Sequence, residues 1–103
     1  MELGIKTAPK PERYTIAVTG EIDISNADHL RNAVDMAFEQ PTERVELDLA
    51  EVSYIDSTGI GVLVGAATRA AEGHVAFKVA NPQANVRRVL GLLGVEQQLH
   101  LED

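Results

Sequence analysis

The stretch VELDLAEVSYIDSTGIG, residues 45–61, decides the fold. Its first half alternates Val45, Leu47 and Leu49 with Glu46 and Asp48, the period of two of a strand with one solvated face. Its second half, Asp56-Ser57-Thr58-Gly59-Ile60-Gly61, stands where a loop becomes a helix. Ile60, Leu63, Val64 and Ala67 then recur at helical spacing as far as Gly73. A second strand comes next, in which Val75, Phe77 and Val79 alternate with Ala76, Lys78 and Ala80. About 25 residues separate the two strands, which suits a right-handed crossover and parallel pairing.

The same patterns extend outward. Upstream, Tyr14, Ile16 and Val18 alternate with Thr15, Ala17 and Thr19 and predict a strand that Gly20 interrupts. Ser25, with Asp28 three residues on, reads as the N-cap of a helix whose apolar face is Leu30, Ala33, Val34, Ala37 and Phe38. Pro41 lies past its end. Leu3 and Ile5 suggest a short edge strand before a turn at Pro9–Glu12. Downstream, Asn81 reads as an N-cap and Pro82 as the first helical residue. Val86, Val89, Leu90 and Leu93 form that helix's apolar face, and Gly91 and Gly94 mark its end. Residues 95–103 return as a short strand or helix with a frayed acidic end.

Parallel sheets covered on both faces read as unbroken apolar runs. Glu46, Asp48 and Lys78 break these runs, so one face is less covered. The expected fold is α/β, one domain over residues 1–103, a mixed β-sheet with helices mainly on one side. Phe77, Leu90 and Leu93 fall in its core. Glu43, Glu46 and Asp48 form a solvated face, and Arg87 and Arg88 a solvated helix flank.

Composition narrows the function. The 103 residues include no cysteine, which removes disulfides, thiolate metal sites and cysteine nucleophiles. Sixteen acids against nine bases give a net charge of −7, unlike the basic stripe of a nucleic-acid binder and unsuited to anionic membranes. No apolar run approaches the roughly 18 residues of a membrane span. The start, Met1 to Lys6, lacks a basic head and an apolar stretch, so a cytoplasmic protein is expected. With no long apolar edge or heptad, a monomer is expected when free. His29, His74 and His100 are scattered, and no metal site is expected. Ser57 lacks the Gly-x-Ser-x-Gly elbow and a histidine placed as its base, and the nearby glycines lack a P-loop lysine. These patterns imply no catalytic residue and no cofactor, while nucleotide binding is left open.

The 56–61 segment carries the most information. The first helical N–H groups lack internal partners, and the helix dipole adds positive charge there. A serine can cap such a helix, and a phosphate would meet free donors. Glycine inside a helix costs about 0.5–1 kcal/mol relative to alanine, so Gly59, Gly61 and Gly65 need a reason. Either the helix packs closely on the sheet, or another backbone approaches it. Asp23 reads as the end of a strand and the cap of a turn; Asp56 is an N-cap or a functional acid.

Gly20-Glu21-Ile22-Asp23 before a helix, Asp56-Ser57-Thr58-Gly59-Ile60-Gly61, and Asn81-Pro82 before a leucine-rich helix resemble the STAS domain. More narrowly they resemble bacterial anti-sigma factor antagonists, in order and spacing over nearly the whole chain. The resemblance implies a binding regulator rather than an enzyme. Ser57 matches the residue phosphorylated by a partner that is both anti-sigma factor and serine kinase, of the histidine-kinase-like ATPase class. The unphosphorylated antagonist binds this partner and frees the sigma factor. Phosphorylation breaks the complex, and a serine phosphatase of the metal-dependent class restores it. Asp23, Asp56, Ser57, Thr58, Gly59 and Gly61 are then the partner-binding residues, with Thr58 a minor alternative acceptor. Two alternatives stay open. One is a STAS subunit, never phosphorylated, of a transporter ATPase complex. The other is a carrier protein bearing a prosthetic arm on a serine after an aspartate, although such carriers are all-helical and three alternating strands oppose it.

Overall fold

The chain runs β1 (Gly4–Pro9), β2 (Tyr14–Ile22), α1 (Ala27–Phe38), β3 (Arg44–Ile55), α2 (Ser57–Glu72), β4 (Ala76–Ala80), α3 (Ala84–Leu92) and α4 (Glu96–Leu99). The computed structural model describes residues 3–102. The four strands form one sheet in the order β1-β2-β3-β4, with β1 antiparallel to β2 and the other pairs parallel. The mixed α/β sheet expected from the alternation is therefore present, and β4 does pair parallel to β3.

Register explains the two faces. Tyr14, Val45 and Phe77 lie level across the parallel strands, as do Ile16, Leu47 and Val79, and all six are buried. They share one core with Leu30, Val34 and Ala37 of α1, Leu63, Ala66 and Ala70 of α2, and Leu99 of α4. The α3 helix adds Val86 and Leu90 and packs beside β3. The intervening rows carry Thr15, Glu46 and Lys78, then Ala17, Asp48 and Ala80, on the opposite face.

Glu46 on that face is not solvated as expected. It is 9% exposed, with Arg13, Arg44 and Lys78 nitrogens 3.8, 3.7 and 3.7 Å from its Oε2. Long cationic side chains lay their stems over a surface while keeping their heads wet, and three of them cover this carboxylate. Its Oε2 accepts no hydrogen bond from the described residues. Arg87 is likewise more than a solvated flank, since its guanidinium lies 3.9 Å from Glu96.

Strand lengths differ from the alternation. β2 continues through Gly20, at φ 117°, to Ile22. β3 runs six residues past Leu49 to Ile55. Two register shifts, between Ala17 and Thr19 and between Gly20 and Glu21, let this happen. From Ala17 to Glu21 is four steps, while the paired Asp48 to Tyr54 is six, so β3 holds two extra residues. Bulges of this kind bend a strand and re-aim the residues beyond them.

Three end assignments are corrected. Asn26, not Ser25, stands at the N-cap of α1, and its side chain is committed elsewhere, accepting from Asp23 N–H at 2.9 Å and donating to the Glu21 carbonyl at 2.8 Å. Asn81 is no cap, because its φ of 58° is left-handed whereas an N-cap is extended. Its N–H donates to the Glu102 carbonyl at 2.7 Å, and α3 starts later, after an extended Gln83. Leu93 is 54% exposed rather than core, because α3 ends at Leu92 and the chain turns at Gly94, φ 70°.

The C-terminal segment supplies both expected forms, the short α4 and a parallel bridge from Glu102 to Ala80. Through Glu102 the end is tied down, with Lys78 Nζ 2.8 Å from its carboxylate. Asp103, with the rest of the expected frayed end, and Met1 and Glu2, with the expected absence of a leader, lie outside the described residues. Among the described residues no helix is long and apolar enough to cross a membrane.

Candidate functional site

Because β2 and β3 are parallel, their carboxyl ends lie side by side, with Ile22 level with Ile55. The chain leaves both strands at the same edge. From β2 comes the loop 23–26, and from β3 comes Asp56 and the start of α2. Crevices outside the carboxyl ends of parallel strands are where such sheets bind ligands.

Asp56 organises this edge. It is the extended N-cap of α2, and its Oδ1 accepts from the backbone N–H of Thr58 at 2.9 Å and of Gly59 at 3.1 Å. Its Oδ2 accepts from Ile24 N–H at 3.2 Å, and its own N–H donates to the Ile22 carbonyl at 3.1 Å. One carboxylate thus caps a helix and ties the β2–α1 loop to it. The choice between cap and functional acid is a false one for its geometry, since the cap is what brings the two loops together.

Ser57 is the first residue of α2 and is exposed. Its hydroxyl makes no hydrogen bond with the described residues. Capping is done by Asp56, so the reading of Ser57 as the helix cap does not hold. Asp56→Ala is expected to cost about 1–2 kcal/mol through the lost cap. Ser57→Ala is expected to stay within about 0.5 kcal/mol. Thermal melts separate the two, because about 1 kcal/mol moves the midpoint of a domain this size by roughly 4–8 °C.

Thr58 is half-buried and Gly59 is buried. A Cβ on Gly59 would lie 2.5 Å from Ile22 Cγ2 and 2.8 Å from Ile55 Cγ1, so the close-packing explanation holds at this glycine. It does not hold at Gly61 or Gly65, where a Cβ would meet nothing within 4 Å. Both are exposed, and both line a groove of about 200 Å³ between α1 and α2 with Arg31, Asp35 and Arg69.

Asp23 accepts from the Ser25 hydroxyl at 2.5 Å and from Ser25 N–H at 2.9 Å. These bonds, the hydroxyl first, hold its carboxyl below the usual aspartate range. It stays ionised at neutral and mildly acidic pH. The surroundings add no cation from these segments, for residues 14–30 and 45–68 contain no lysine or arginine.

The structure therefore brings Asp23, Asp56, Ser57 and Thr58 to one edge, puts Gly59 beneath it and Gly61 one turn along α2. The residue that the sequence reading missed is Ile24, 78% exposed beside them. The only sequence signal was an isoleucine placed after a strand end among polar residues.

Comparison with known proteins agrees with this architecture. The family model described as "Mlab, STAS domain" matches residues 5–102. An anti-sigma-B factor antagonist of Staphylococcus epidermidis is 26% identical over 103 residues, covering 100% of this chain and 95% of that protein. An anti-sigma factor antagonist from Mycobacterium paratuberculosis superposes with a TM-score of 0.89 at 20% identity, over 98% of this chain and 86% of that one. The anti-sigma factor antagonist SpoIIAA in its unphosphorylated form gives 0.82 at 19% identity, over 97% and 88%. Bacillus SpoIIAA in its phosphorylated form gives 0.75 at 18% identity, over 97% and 91%. Matched over all but a few terminal residues, with the succession of strands and helices and the helix start that the sequence led us to expect, the chain belongs to the STAS domain family.

Proposed function

We propose that this protein is an anti-sigma factor antagonist that works by partner switching. Unphosphorylated, it binds an anti-sigma factor that is also a serine kinase of the histidine-kinase-like ATPase class, and so releases that factor's target. Phosphorylation of Ser57 breaks the complex, and a serine phosphatase of the metal-dependent class resets it. Asp23, Asp56, Ser57, Thr58 and Gly61 contribute to the binding edge, and Gly59 supports it from below. The protein acts as a cytoplasmic binding regulator, not an enzyme, and is a monomer when free.

The observation that carries this reading is the exposed Ser57 hydroxyl at the start of α2, relieved of capping by Asp56. A phosphate there would meet a helix N-terminus that tolerates negative charge, so modification and folding are compatible. The relatives' names and the SpoIIAA structures in both phosphorylation states support it.

A second reading is a STAS subunit of a transporter ATPase that needs no phosphorylation, which membership of the STAS domain family equally allows. Pull-downs from the source organism with wild-type, Ser57→Ala and Ser57→Asp baits separate the two. A histidine-kinase-like ATPase captured by the first two baits and not the third supports the switch. One transporter ATPase captured by all three supports the second reading and sinks the first.

A further inference from the structure

Ile24 is a large apolar side chain left 78% exposed at the edge where Ser57 stands. The chain buries its other isoleucines at this edge, Ile22, Ile55 and Ile60. Ile24 is also held in position: its N–H is bonded to Asp56 Oδ2, and the loop is closed by Asp23 bonded to Ser25 and by Asn26 bonded to Asp23 and to Glu21. An exposed apolar side chain on an ordered loop loses little conformational freedom when a partner covers it. Its charged neighbours, Glu21 and Asp23 in the chain and Asp56 through its bond to the Ile24 amide, are all acidic, and the segments that carry them hold no lysine or arginine.

We propose that Ile24 is the apolar anchor of the partner-binding edge, and that the matching site on the anti-sigma kinase is an apolar pocket rimmed by lysine or arginine. The inference rests on the antagonist reading above and deepens it. Interfaces concentrate affinity in a few desolvated apolar residues, with polar rims that set specificity and encounter rate. Ile24 fills the first role and Asp23 the second. Asp56 is a positioning residue, because it holds the Ile24 loop against the start of α2.

The test titrates the histidine-kinase-like ATPase captured by the wild-type bait against wild-type protein, Ile24→Ala, Ile24→Leu, Asp23→Asn and Leu92→Ala, at several salt concentrations. Ile24→Ala is expected to weaken binding by about 10- to 100-fold, the equivalent of burying one isoleucine side chain. The salt dependence of its affinity should match wild type, because no charge is lost. Ile24→Leu should recover most of the affinity. Asp23→Asn should flatten the salt dependence. Leu92→Ala, at an apolar residue 80% exposed on α3, should bind as wild type. An Ile24→Ala affinity within twofold of wild type overturns the anchor and leaves the antagonist reading standing. Failure of the wild-type protein to bind any such ATPase overturns both.

Discussion

Ser57→Asp is expected to keep the fold and to bind the anti-sigma kinase about 100-fold more weakly, or worse, a loss of roughly 2.7 kcal/mol. The fold should survive because an acid in the first turn of a helix is favourable by about 0.3–1 kcal/mol, so the melting midpoint should equal or slightly exceed that of wild type. Binding should fail for a different reason. The edge already presents Asp23 and Asp56. A third carboxylate beside them needs its own cation on the partner or is desolvated unpaired, which typically costs about 2–5 kcal/mol. Longer-range attraction to a basic pocket does not offset this, since salt screens it beyond about 8 Å at physiological strength while desolvation occurs at contact. Phosphoserine, with about −1.5 to −2 charges, should act more strongly still. Calorimetric titration alongside a thermal melt checks both halves. An affinity within threefold of wild type would remove Ser57 from the switch. A collapse of the melt would instead make it a refolding device.

The second large effect concerns stability, and its sign changes along one helix. Gly59→Ala is expected to destabilise by about 1–3 kcal/mol, the cost of forcing a methyl into a filled core. The obstacle is Ile22 Cγ2 at 2.5 Å and Ile55 Cγ1 at 2.8 Å, branch atoms of stiff side chains in two paired strands. Gly61→Ala and Gly65→Ala should each stabilise by about 0.5–1 kcal/mol, because the new methyl meets open space and the helix gains propensity. Urea denaturation of the three variants reads all three signs. Three stabilised variants would mean that Ile22 and Ile55 yield readily and that Gly59 is not demanded by packing. Relieving the clash would require α2 to lift from the strand ends, so Gly59→Ala should also disturb the Asp56 bonds to Ile24, Thr58 and Gly59.

What the sequence disclosed was the part governed by neighbours in the chain. Strand alternation at Tyr14–Val18, Val45–Leu49 and Phe77–Val79 depends on local period, and those strands appear where expected. The start of α2 depends on Asp56 and the two N–H groups just after it, and it too appears where expected. Features set by distant partners were not disclosed. Asn81 was displaced from the N-cap reading by a tertiary bond to Glu102, close to the other end of the chain. Glu46 looked solvated because Arg13 and Lys78, which help cover it, come from other strands or their flanks. The outer half of β3 was missed because its extra residues put Ser53 and Tyr54 out of phase with a period of two. Within the site, Asp56 and Ser57 stood out by their place at a helix start and Asp23 through the family resemblance, whereas Ile24 did not, since an isoleucine by itself suggests a core position.

The two additional residues of β3 set the spacing of the whole edge. A strand advances about 3.3 Å per residue, and a one-residue slip turns every side chain to the other face. Deleting one residue between Asp48 and Tyr54 would retract Asp56 by about that distance, beyond reach of the Ile24 amide that it now holds at 3.2 Å. The acid, the serine and the glycine would all still be present, in the right order, and would no longer meet the neighbouring loop. The gap between the two halves of the edge is thus recorded as a count of backbone units rather than in the identity of any side chain. Two relatives with the same Asp-Ser-Thr-Gly signature but a β3 differing by one residue should therefore not substitute for each other on the same partner.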